Sequence, residues 1–159
     1  MSQTSYSETP AKAFPGLLGD GPHSVYSRAN GSGAELKFGV AVIPDAVNGD
    51  TQVEAFATGE TVLGVVAHEH QNAVAGSSSL SDEAMASVVS KGLVWVLIDQ
   101  DVAVGDPVFV RHTAGAGEHL GAFRMDADTA DAEEITSGAK WVEGGTAANG
   151  FALLELNLP

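Results

Sequence analysis

From residue 36 onward the sequence is a succession of short apolar runs cut apart by turn residues. The runs are LKFGVAVI (36–43), QVEAFA (52–57), TVLGVVAHEH (61–70), SVVSKGLVWVLI (87–98), DPVFVRH (106–112), GAFRM (121–125), KWVEG (140–144) and GFALLEL (150–156). Each is rich in Val, Phe, Trp or Leu, and Gly, Asp, Asn or Ser separate them, which is the pattern of strands rather than helices. In Gly92–Ile98 both faces are apolar, as expected of a central strand buried on both sides. Ser90-Lys91-Gly92 reads as a tight hairpin. Ser81-Asp82-Glu83 is compatible with a capped helix but is read as a turn feeding the strand that follows. No other segment holds a 3.6-residue period. The expected class is all-β: a compact β-barrel or β-tulip-like domain of short antiparallel strands with little helix.

Residues 1–35 follow a different rule. They carry Pro10, Pro15 and Pro22 with Gly16, Gly19, Gly21, Gly31 and Gly33. Proline removes donors and glycine frees the backbone, so neither a helix nor a long strand is expected there. Tyr6, Phe14, Leu17, Leu18, Val25 and Tyr26 are spaced along the segment as single anchors. The division expected is an extended N-terminal docking arm over 1–35 and a barrel-like domain over 36–159. The anchors are read as contacts to a partner, with packing on the chain's own barrel weighed equally.

Composition narrows the function. With 44% hydrophobic and 18% charged residues the chain can build a core, unlike a disordered polypeptide. The net charge is −14, and the seven basic residues (Lys12, Arg28, Lys37, Lys91, Arg111, Arg124, Lys140) are scattered. No basic stripe tracks phosphates, so neither nucleic acid nor an anionic membrane is an expected partner. There is no cysteine, so thiolate and disulfide chemistry are excluded, and oligomerisation becomes one source of stability. The N-terminus has no apolar core of a signal peptide, which points to synthesis in the cytoplasm.

Three constellations bear on chemistry. His68 and His70 would share one face of a strand and are weak metal candidates, but no third ligand is evident. Asp126, Asp128, Asp131, Glu133 and Glu134 form an acidic loop that lacks the glycine and glutamate of a calcium-binding EF-hand, so a solvated loop is favoured. Gly59-Glu60-Thr61-Val62 and Gly105-Asp106-Pro107-Val108 echo one another as strand-opening turns. No nucleophile elbow occurs. Catalytic residues and cofactors are therefore not expected. The expected core includes Val94, Trp95, Val96, Val108, Phe109, Leu153 and Leu156, and Trp141 is expected at an interface.

The ordered set Ala13-Phe14-Pro15-Gly16-Leu17-Leu18, Phe38–Val42, Leu63–Val66, Lys91–Val96, Gly105–Arg111, Gly121–Arg124 and Ala152–Asn157 resembles the structural cement proteins of tailed bacteriophages, from about residue 10 to 158. That resemblance implies a non-enzymatic capsid decoration protein on the outer surface of a virion. It implies binding to the major capsid protein at local three-fold sites of an expanded head, self-association as a homotrimer, and no cofactor. The contact candidates are Tyr6, Phe14, Leu17, Leu18 and Tyr26. The alternatives are a metal-binding module on His68 and His70, or a receptor- or glycan-binding β-domain using loops 76–84 and 113–120.

Overall fold

The computed structural model describes residues 12–68 and 78–159. His70 and Tyr6 lie outside them. The described chain is all-β, with one 3-10 turn at Asp128–Ala130.

Seven strands form the main sheet: β1 (Ser24–Asn30), β3 (Ala41–Pro44), β4 (Gln52–Ala55), β5 (Gly64–Val66), β7 (Met85–Leu97), β11 (Ala139–Glu143) and β12 (Phe151–Asn157). Their order is β1-β4-β3-β5-β7-β12-β11, and β1 also pairs with β7, so the first five strands close into a barrel. Closure removes the edges that an open sheet would expose. All these pairings are antiparallel except β1–β4, which is parallel at Ala29↔Gln52 and Asn30↔Val53. Two smaller sheets complete the fold: β2 (Leu36–Lys37) with β6 (Ser79–Leu80), and β8 (Phe109–Arg111) between β9 (Phe123–Arg124) and β10 (Ala132–Glu134).

Alternation along the barrel strands feeds two cores. On β3, Ala41 and Ile43 join one cluster and Val42 the other; on β5 the split is Val65 and Val66. The smaller cluster is built from Leu36, Phe38, Val40, Val42, Val53, Val66, Leu80, Ala86 and Val88. The larger takes Val94, Val96 and Ile98 from β7 and its end, Val110 and Phe123 from the small sheet, and Trp141, Leu154 and Leu156 from β11 and β12. β3, β5 and β7 therefore carry apolar side chains on both faces, and in the run 92–98 Val94, Val96 and Ile98 enter the larger core while Leu97 packs against the smaller.

Several expectations are corrected. Residues 90–92 are no hairpin: β7 runs straight through them for 13 residues. Gly92 marks a close approach instead, because a Cβ there would sit 2.5 Å from the His23 ring and 2.7 Å from the Pro22 carbonyl. β1 is a seven-residue strand inside the stretch where no long strand was expected. Its pairing with β7 outweighs the surrounding Pro and Gly. Phe109 and Leu153 are only half-buried, and their strand neighbours Val110 and Leu154 fill the core instead. Trp141 is a core residue at 3% exposure, its indole N–H donating to the Pro107 carbonyl at 3.2 Å. Ser81–Ala84 is a turn feeding β7, as read from the sequence. The two echoing turns also place equivalent residues alike: Val62 and Val108 are both buried in the larger core.

Candidate docking surface

Residues 13–19 lie on the barrel as a turn at Pro15-Gly16 followed by a single bridge to β7. Gly16 N–H donates to the Trp95 carbonyl at 2.6 Å, Trp95 N–H to the Leu17 carbonyl at 2.8 Å, and Gly19 N–H to the Leu93 carbonyl at 2.7 Å. Leu18 pairs with Val94 in an antiparallel bridge. A further bond runs from His68 N–H to the Gly16 carbonyl at 2.8 Å. The seat is shaped for glycine. Gly16 has φ +86, and a Cβ there would lie 2.6 Å from the His68 nitrogen. Gly39 approaches from the other side, where a Cβ would lie 2.8 Å from the Pro15 Cβ and 2.9 Å from the Gly16 nitrogen.

With the backbone pinned, the anchor side chains divide. Ala13 is buried, Leu17 is half-buried, and Phe14, Leu18 and Tyr26 are exposed at 44%, 41% and 37%. Val25, at 44%, lies beside Tyr26 on β1. These residues leave exposed apolar side chains on the arm and on β1. Phe14 also meets His68 edge-on with ring centroids 4.9 Å apart, and His68 in turn packs on Phe38 at 4.5 Å. His68 lies beyond the end of β5, so it is not on the strand face from which a metal pair with His70 was argued. Its ring instead links the arm to the barrel core. Among the described residues no group of three or more His, Asp or Glu is arranged to hold a metal. Lys12 ion-pairs with Glu143 and lies over the Trp95 ring at 5.7 Å, closing the N-terminal end of the seat.

The acidic loop has a different role from the solvated one expected. Arg111 on β8 and Arg124 on β9 are buried, with side chains 2% and 7% exposed. Asp128 bridges them, at 2.6 Å from Arg111 Nη2 and 2.7 Å from Arg124 Nη1. Asp99, just past β7, accepts from Arg111 Nε at 2.5 Å; Glu118 reaches Arg111 at 3.1 Å and Asp126 reaches Arg124 at 2.8 Å. Burial works against the charge on Arg111, yet the hydrogen bond and charge of Asp99, with Glu118 and Asp128, push its pKa up. Burial pushes the Asp99 carboxyl up as well, with Glu118 and Asp128 adding to the rise, against the pull of Arg111. Its Oδ1 is buried with no partner among the described residues. The loop backbone is strained to deliver Asp128: Asp128, Thr129 and Ala130 all have positive φ (43, 58 and 84). Left-handed conformations cost roughly 1–2 kcal/mol per non-glycine residue, which the bridging ion pairs offset. Sequence reading could not find this cluster, because Asp99, Arg111, Glu118 and Arg124 carry no spacing signal. Only the β8–β9 pairing and the bridge between Ile98 and Phe123 bring them together.

Residues 2–157 match the family described as structural cement protein (E217 gp24/Pam3 gp6). The chain belongs to that family. Among solved structures, a chain of "The capsid of Myoviridae Phage XM1" shares the fold with a TM-score of 0.77 and 18% identity, over 98% of this cement protein and 96% of the other chain. The search of curated proteins finds no match. The cement family is one of structural phage proteins.

Proposed function

We propose that this cement protein coats the outer surface of a tailed-phage head at local three-fold positions. There it binds the major capsid protein as a homotrimer and stabilises the expanded shell without catalysis. The supporting observation is the set of exposed apolar side chains Phe14, Leu18, Val25 and Tyr26, carried on backbone that the barrel already holds in place. Preorganised apolar side chains lose little entropy on docking, and they suit the pockets of an assembled shell. The docking arm is the part of residues 1–35 that precedes β1, with Tyr6, Phe14, Leu17 and Leu18 on it and Tyr26 beside it. Removing all of 1–35 would delete a barrel strand, so the arm is tested by point variants. A ligand that binds only the assembled shell shifts its equilibrium by mass action, and many copies add avidity. The protein would be made in the host cytoplasm and act on the virion.

Size-exclusion chromatography with light scattering, followed by mixing with bare capsids, tests this. A trimer that coats the shells and raises their melting temperature is expected. The combined substitution Phe14→Ala, Leu18→Ala and Tyr26→Ala should leave a folded trimer that no longer coats them, and full coating by that variant would remove these side chains from the interface.

A further inference from the structure

The seat on β7 recognises its occupant through main chain and glycine, so any copy of the same segment fits it equally well. Three main-chain bonds to Leu93 and Trp95, one to His68, and the close approaches at Gly16 and Gly39 define a slot into which Ala13-Phe14-Pro15-Gly16-Leu17-Leu18-Gly19 is keyed. A Cβ at Gly19 would also lie 2.6 Å from the Leu93 Cβ, so larger residues are shut out there too. No side-chain charge inside the slot ties it to its own chain; Lys12 and Glu143 meet only at its exposed rim, 65% and 42% exposed. On the other side, Pro22 and His23 are fixed independently, packed on Gly92, with His23 Nε2 2.8 Å from the Leu93 carbonyl. Only Asp20 and Gly21, both exposed, join the two anchored parts. A short hinge between two separately anchored pieces is the arrangement that permits exchange between identical chains, because the exchanged contacts equal those lost.

We propose that residues 12–19 form an exchangeable segment, and that in the assembled oligomer the seat on β7 is filled by this segment of a second copy. The inference rests on the self-association proposed above and adds how the copies hold one another. Exchange would turn the main-chain bonds of the arm into bonds between subunits and make the seat incomplete in an isolated copy.

The absence of native cysteine makes the test clean. The bonds on either side of Leu18 and Val94 make them a non-hydrogen-bonded antiparallel pair, whose Cα separation of roughly 4.5 Å suits a disulfide. Leu18→Cys and Val94→Cys are made in two separate chains, one carrying a size tag, mixed under conditions that allow assembly, and oxidised. Exchange predicts a disulfide between tagged and untagged chains, mapped to positions 18 and 94, in most of the assembled material. A chain carrying both substitutions should likewise run as covalent oligomers. An oligomer by light scattering in which that double variant closes only within chains, and the mixture forms no such bridge, overturns the exchange alone. A chain that stays monomeric both in solution and on shells overturns the self-association and the exchange with it.

Discussion

One strand serves two regions that are held in opposite ways. At Leu93–Trp95, β7 receives the arm through neutral main-chain bonds and glycine contacts. A few residues on, at Asp99, the same chain enters a cluster in which two buried guanidinium groups meet Asp99 and the partly exposed Glu118, Asp126 and Asp128. The first contact is modest in energy and can be remade elsewhere, since it depends on backbone shape. The second is hard to break from one side, because removing a partner leaves buried charge unpaired. The difference assigns them roles: the cluster locks the small sheet and its loops onto the barrel, whereas the arm seat is the part able to change occupants.

The largest expected effect tests the lock. Arg111→Ala should cost about 3–5 kcal/mol by denaturant unfolding, since it removes the close partner of the buried Asp99 and leaves Asp128 to Arg124 alone; a loss below about 1 kcal/mol would erase the contrast. Gly16→Ala should cost roughly 1–3 kcal/mol through its backbone conformation and close contact. That loss should be local: hydrogen exchange should rise at residues 12–19 and stay unchanged at β8 and β9. Asp99 sharpens the comparison through pH. Its folded pKa lies above the unfolded value of 3.8, so the folded state holds more protons just above that pH. Its contribution to stability therefore falls as pH rises from about 3.8 through the folded pKa. Asp99→Asn should remove that fall, visible as a flatter urea-midpoint profile than the parent protein in that window, and parallel profiles would exclude the assignment. Lys12→Ala should be smallest, below about 1 kcal/mol, because its ion pair with Glu143 is solvated. Measured by thermal melting, a larger loss would mean the arm is fastened more tightly than its backbone contacts suggest.

Much of the fold was legible. Val94, Val96 and Leu156 announced their burial through short apolar runs, and the turn at Ser81–Ala84 through its residues, because local hydrophobic patterning and turn chemistry act over a few positions. Gly92 misled, since a glycine at a close backbone approach carries the same letter as one in a hairpin. β1 was hidden among Pro and Gly because its stability comes from β7, about 60 residues away in the chain. The anchors Phe14 and Leu18 were found as candidates, but their exposure depended on which side of the seat they faced.

By itself, then, the sequence determined the all-β class, the apolar two-faced wall strands, the acidic character and the kinship with cement proteins, all of which reside in composition, period and ordered motifs. Tertiary structure alone decided that residues 13–19 seat on β7 through a turn and one bridge and that β1 closes the barrel. It also decided that the acidic loop is a counter-charge for Arg111 and Arg124. Each of these is a pairing between residues far apart in the chain, and no local pattern records which distant backbone or charge a residue will meet.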